Sequence, residues 1–183
     1  MGRGCIAGDV FACAAMVRCF EGDFFEKNVK DSKKISIKKR FEIEKKLREY
    51  CVFAIGRASI EEIHELNILN ATMLAMNRAI DSLADFADVE KCKIIVDGNK
   101  KPRDRAICVI KGDAKFYEIA AASILAKTAR DRYMVELSES FPEYGFERNF
   151  GYGTAGHFSA IKKHGLTKIH RSEWIKIDQE KIL

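Results

Sequence analysis

The chain has 183 residues, a net charge of +5, and 47% apolar and 32% charged side chains, which fits one soluble globular domain with a genuine core. Six cysteines (Cys5, Cys13, Cys19, Cys51, Cys92 and Cys108) include no C-x-x-C pair, which argues against a zinc knuckle or a disulfide framework. The most apolar early stretch, IAGDVFACAAMV, is interrupted by Asp9 and has neither a charged leader nor a spanning length. No signal peptide or transmembrane helix is expected, and a cytoplasmic location follows by default. The mild basic excess suits a polyanionic partner without identifying one.

In chain order, Gly2 and Gly4 flank Arg3, the build of a backbone that comes close to something negatively charged. Residues 9–20 (DVFACAAMVRCF) read as a buried strand. Ser36 can cap a helix running to about Tyr50, with Phe41 and Leu47 on one side. YCVFAIGRAS reads as a strand ended by Gly56. Ser59 to Glu62 forms a capping box opening a long helix that carries Ile63, Leu66, Met73, Leu74, Ile80 and Leu83, with a break near Asn67 to Asn70. KCKIIVDG and AICVIKGD read as two interior strands. FYEIAAASILAKTARDRYMVEL is an alanine-rich helix able to pack closely on a sheet. A helical C-terminal extension starts at about residue 142, with an aromatic and basic loop, a helix near TAGHFSAIKKHG and an irregular tail. Strands alternating with helices give a single α/β layered domain.

Asp97 and Asp113 are the sharpest chemical feature. Each ends a short apolar run beside a glycine, and a carboxylate there is costly unless paired, hydrogen-bonded or bound to a cation. On parallel neighbouring strands they would share the edge where open α/β sheets place ligands, although NKKPRDR is short for a parallel crossover. Asp-Gly after a strand is also the signature of a plain turn. Oxygen ligands of this kind suit Mg²⁺ or Mn²⁺.

Lys33, Lys34, Lys38, Lys39 and Arg40 form a basic run that reads either as a solvated helix face or as a phosphate contact. Lys127 and Arg130, one turn apart on the later helix, form a second basic pair, and Lys127 can pair with Asp131 one turn on, or bind phosphate. In PEYGFERNFGYGTAGHF, aromatics alternate with Arg148, glycine and His157, a composition suited to stacking on sugars or bases, or to covering a core. GYGTAG matches a dinucleotide-binding pattern, but the polar ERNF before it is a poor strand. Ser123 and Lys127 have a Ser-Lys spacing without any oxyanion donor. Both are set aside.

Taken in order, GRG, DSKK, NILNATMLAMNRAI, IIVDGN, VIKGDAK, IAAASILAKTARDRYM, GYGTAGH and HR resemble ribonuclease HII from Gly2 to about Arg171. The resemblance implies a ribonuclease H-like fold, a mixed central sheet flanked by helices. It also implies endonucleolytic cleavage of the RNA strand of RNA–DNA hybrids or at a lone ribonucleotide in duplex DNA. Asp97 and Asp113 would bind two catalytic Mg²⁺ or Mn²⁺ ions. Gly2, Arg3 and Gly4 would meet the 2′-hydroxyl at the RNA–DNA junction, Tyr152 would stack on the adjoining deoxyribose, and Lys33 and Lys127 would contact substrate. A monomer is expected.

One departure matters. In the family the Gly-Arg-Gly loop follows a first strand ending in Asp-Glu, and those carboxylates complete a four-acid metal site, whereas here Met1 holds that place. The expectation is therefore an interrupted central sheet, severe loss of activity in this 183-residue form, and Met1 as an internal methionine of a longer natural protein. Asp9 lies beyond the loop and is a poor substitute. The alternatives are a non-catalytic protein that binds RNA–DNA hybrids, and a superfamily nuclease acting on DNA alone. The tail HRSEWIKIDQEKIL departs from the family ending, and Trp174 is read as packing.

Overall fold

Strand β1 (Val10–Val17) is small and apolar on both faces and pairs antiparallel with β2 (Cys51–Ala58), Val10 opposite Ala58 and Val17 opposite Cys51. The computed structural model describes residues 1–20, 23–29 and 35–175. Alternation along β1 turns Val10, Ala12, Ala14 and Met16 to one face and Cys13, Ala15 and Val17 to the other. On the first face lies α3 (Ile60–Leu83), through Ile63, Ala71, Ala75, Ile80 and Leu83. The second face is covered by the short α1 (Phe24–Asn28), α2 (Ile37–Tyr50) and α4 (Tyr117–Ser140), through Phe25, Ile43, Leu47, Ala121, Ile124 and Leu125. Helices on both sides of a sheet give the α/β layering expected from the sequence.

Local signals hold at the helix starts. Ser36 Oγ accepts from the Lys39 amide at 3.4 Å, and Ser59 and Glu62 form the reciprocal capping box of α3. The expected break falls at Asn67 (φ 62°), whose Oδ1 accepts from the amides of Leu69 and Asn70 and so restarts the helix. Gly56, however, does not end its strand. It lies inside β2, where a Cβ would stand 2.1 Å from the carbonyl oxygen of Ala75, so glycine is needed for α3 to lie close.

Strands β3 (Ile95–Asp97) and β4 (Ile107–Val109) pair in parallel despite the short connection. Three-residue strands are only about 10 Å long, so residues 98–106 suffice to return without a helix. Arg103 pins that loop to Asp81 (2.7 Å) and Asn77 (3.0 Å), and Arg105 pins it to Glu90 (2.8 Å). The reading of both strands as interior is corrected for β4: Ile107 is 51% exposed and the following Ile110 66% exposed. Among the described residues the sheet is thus two pairs, β1–β2 and β3–β4, with α4 packed against both.

Beyond α4, α5 (Phe146–Asn149) and α6 (Ala155–His164) fold back so that Tyr144, Phe146, Ile161 and Ile169 share a core with Ile6, Ala7, Ile60 and Met134. This places the opening loop beside the Gly-Tyr-Gly loop. No helix among the described residues is long and apolar enough to cross a membrane.

Candidate functional site

Two loops distant in sequence are joined around a buried cation. Arg130, on α4, donates to the main-chain oxygens of Ala7 (2.9 Å), Asp9 (3.1 Å) and Phe150 (2.8 Å). Arg171 does the same for Gly8 (2.6 Å) and Arg3 (3.4 Å), with its guanidinium 5.0 Å from the Trp174 ring centre. Burial and the nearby Arg130 pull the Arg171 pKa down to about 10, which leaves it charged at neutral pH. The amides of Ile6 and Ala7 donate to the Gly151 oxygen at 2.9 and 3.3 Å, closing residues 2–8 onto residues 150–153.

The glycines in this assembly have different causes. Gly2 sits at φ +86°, and a Cβ there would meet Arg130 Nε at 2.2 Å; the protein itself needs that glycine. Gly4 is exposed, with open space where its Cβ would be. Arg3 is exposed beside it. Met1 exchanges main-chain hydrogen bonds with Phe11, which places the loop on the edge of β1 away from β2.

Tyr152 projects from the second loop and is 43% exposed. Lys127 Nζ lies 5.1 Å from the ring centre of Phe150 and 5.8 Å from that of Tyr152, and pairs with Asp131. The i+4 pairing expected from the sequence is present, and it sets a cation beside the aromatic rings. Asp131 also accepts from Arg40 at 2.9 Å, and Arg40 in turn donates to the Ile35 oxygen. Arg40 therefore does not belong to a solvated or phosphate-facing basic run: it is buried and holds α2 against α4. Lys38 and Lys39 are exposed. Lys33 and Lys34 lie outside the described residues.

The acid edge is built by the parallel pair. Asp97 ends β3, and its Oδ1 accepts from the Gly112 amide at 2.8 Å, which ties it to the Gly112–Ala114 turn carrying Asp113. Lys111 takes the left-handed conformation (φ 54°) to enter that turn, and α4 starts just beyond. Asp97 is exposed and Asp113 half-buried, on the same edge of the sheet. Hard carboxylate oxygens fit Mg²⁺ or Mn²⁺ in type. In number they fall short: among the described residues no three or more His, Cys, Asp or Glu side chains are grouped so as to hold a metal ion. Asp9 is engaged elsewhere. It is buried, its pKa is raised by that burial, and Arg57 (3.9 Å) and Tyr133 are its partners.

The roles of Arg130 and Arg171 as buried carbonyl binders escaped the sequence reading, as did a contact between His157 and His170. An arginine amid the alanines of a helix that must pack on a sheet was the available signal.

A family model described as Ribonuclease HII matches residues 1–177. Curated proteins named Ribonuclease HII include one from Sphingopyxis alaskensis, 44% identical over 180 residues, covering 97% of this chain and 87% of that protein. Another, from Pelagibacter ubique, is 42% identical over 180 residues, covering 97% and 93%. Among solved structures, a chain of the PCNA:RNase HII complex from Archaeoglobus fulgidus superposes with a TM-score of 0.70 at 24% identity, covering 98% of this chain and 94% of that one.

Proposed function

The chain belongs to the ribonuclease HII family, and we propose on that premise that it hydrolyses the RNA strand of RNA–DNA hybrids, single ribonucleotides in duplex DNA included. The products carry 5′-phosphate and 3′-hydroxyl ends, and the work belongs to cytoplasmic replication and repair, done by a monomer. The observation that carries this reading is the union of the Gly2–Gly4 loop with the Tyr152 loop through the Gly151 oxygen and Arg130. An open backbone at Gly4 beside an exposed aromatic ring suits a 2′-hydroxyl followed by a flat deoxyribose. Selectivity then comes from the sugar and not from base edges.

Asp97 and Asp113 would hold the divalent ions, Mg²⁺ or Mn²⁺, which when bound supply charge neutralisation and water activation at the phosphodiester. Gly2, Arg3 and Gly4 orient the ribose, Tyr152 fixes the next sugar, and Lys127 and Lys33 offset phosphate charge. Two carboxylates are few ligands for two divalent ions, so further acids at this edge should raise the rate of cleavage.

The second reading, a hybrid-binding protein without catalysis, is favoured by the lack of a three-ligand cluster among the described residues. One assay separates the readings: this polypeptide beside a form extended by a strand ending in Asp-Glu, each on all-DNA, single-ribonucleotide and hybrid duplexes. The extended form should cut ribonucleotide-containing duplexes about a hundredfold faster or more, and neither should cut DNA alone. Equal cleavage by both forms refutes the ligand argument, binding without cleavage by both supports the second reading, and cleavage of all-DNA duplex refutes the sugar-reading role.

A further inference from the structure

His157 and His170 are almost wholly buried, and neither belongs to the acid edge or the basic run. Their Nε2 atoms lie 3.1 Å apart. On the far side of His170, Nδ1 is 3.0 Å from the Thr167 amide nitrogen and 2.8 Å from its hydroxyl. On the far side of His157, Nδ1 is 2.9 Å from the main-chain oxygen of Tyr152. The rings of Tyr144 and Phe146 pack against both.

The protons in this chain can be placed in only one order. A main-chain amide is always a donor, so His170 Nδ1 must accept and its proton must sit on Nε2. That N–H points at His157 Nε2, which must then accept, leaving the His157 proton on Nδ1. The Tyr152 oxygen is an acceptor and receives it. Each neutral ring fixes the tautomer of the next, from the Thr167 amide to the loop that carries Tyr152.

We infer that His157 and His170 form a fixed-tautomer relay that sets the position of the Tyr152 main chain, making His157 a positioning residue for the sugar-stacking ring. The inference rests on the substrate role proposed for Tyr152. Two features make His157 suited to this. It lies in the first turn of α6, whose cap Thr154 accepts from the His157 amide at 3.2 Å while the Thr154 amide donates to the same Tyr152 oxygen at 2.8 Å. And His170 is bridged by its backbone to Ala7, so the relay ends on the segment that also carries the Gly-Arg-Gly loop.

The test has two independent arms. Long-range ¹H–¹⁵N spectra of the full chain should show His157 protonated on Nδ1 and His170 on Nε2; the opposite tautomer at either ring overturns the relay whatever the substrate is. In the second arm, affinity for a duplex with one ribonucleotide is measured for His157→Phe, His157→Asn, Tyr152→Ala and the double variant His157→Phe/Tyr152→Ala. His157→Phe should weaken binding about tenfold, and His157→Asn, whose amide can donate from the Nδ1 position, should recover most of it. Removing His157 should cost nothing further once Tyr152 is Ala. Additive losses, or no recovery by Asn, would refute positioning through Tyr152. Unchanged affinity of Tyr152→Ala would instead refute the stacking role while leaving the spectroscopic arm to decide the relay.

Discussion

The loop assembly around Arg130 and the acid edge at Asp97 are opposites in construction. Around Arg130, polar groups are buried and engaged: two guanidiniums take main-chain oxygens from residues 3–9 and 150, and two imidazoles bond each other. No buried side-chain nitrogen or oxygen among the described residues lacks a partner. At the acid edge, Asp97 at the end of β3 is exposed and Asp113 in the turn after β4 is half-buried, the two tied through the hydrogen bond from Gly112 to Asp97. The difference teaches where preorganisation is intrinsic. The loop surface is completed by the chain alone, because its partners are the protein's own guanidiniums, imidazoles and main-chain oxygens. The acid edge instead leaves carboxylate oxygens open to solvent, where a cation could be taken up.

The largest expected effect comes from the acid edge. In the form extended by an Asp-Glu strand, Asp97→Asn should lower cleavage by about a hundredfold or more, because a neutral amide is a weak ligand for Mg²⁺ or Mn²⁺. Stability should move by no more than about 0.5 kcal/mol, since Asn keeps an oxygen for the Gly112 amide at an exposed site. Cleavage rates and thermal melts on the same preparation check both parts. A large loss of melting temperature would mean that the edge is structural after all, and the contrast would collapse. The opposite pattern is expected of Arg130→Met. It strands three main-chain oxygens in the core, costing about 3 kcal/mol or more in unfolding free energy by denaturant titration. A loss below about 1 kcal/mol would show that the guanidinium does not hold the loops.

How much of each region was legible in the sequence follows from the range of the forces involved. The capping box at Ser59, the break near Asn67 and the buried strand that became β1 are set by neighbours a few residues away, and were read directly, though the alternation of faces along β1 was not. Asp97 and Asp113 stood out because charge at the end of an apolar run is anomalous whatever surrounds it. Gly56 was misread because the helix that requires it arrives from about twenty residues downstream. Arg40 looked like one more member of a basic run, since its partner Asp131 lies 91 residues away. The pairing of His157 with His170 likewise depends on tertiary closure, with no local signature to betray it, and only the placing of an arginine amid alanines hinted at the grip of Arg130 on Ala7 and Asp9. The family resemblance supplied Tyr152, which composition alone presented only as one aromatic among several.

The smallest effect is a pH dependence confined to the loop assembly. Burial, reinforced by the neighbouring His157, lowers the His170 pKa from 6.5 to about 4. Burial also lowers that of His157, against the opposing bond to the Tyr152 oxygen. A folded protein that resists a proton which the unfolded chain accepts binds fewer protons between about pH 4 and 6.5, so its stability rises with pH across that window. The stabilisation is fully present above pH 6.5, is lost progressively as the pH falls, and stops changing below about pH 4. Its size, after allowing for screening, is about 2 kcal/mol. Other groups contribute slopes of their own: Glu44, which burial would raise but which bonds from Arg132 and Arg48 hold below the ordinary carboxylate range, also loses stability on acidification. The comparison that isolates the relay is therefore His170→Gln against the parent chain. Glutamine keeps a donor toward His157 but cannot titrate, so the variant should start less stable at pH 7 and lose less on going to pH 4.5. Parallel stability curves for the two proteins over that interval would mean that the imidazole pair takes up its protons as easily folded as unfolded, which a buried donor-to-acceptor chain does not allow.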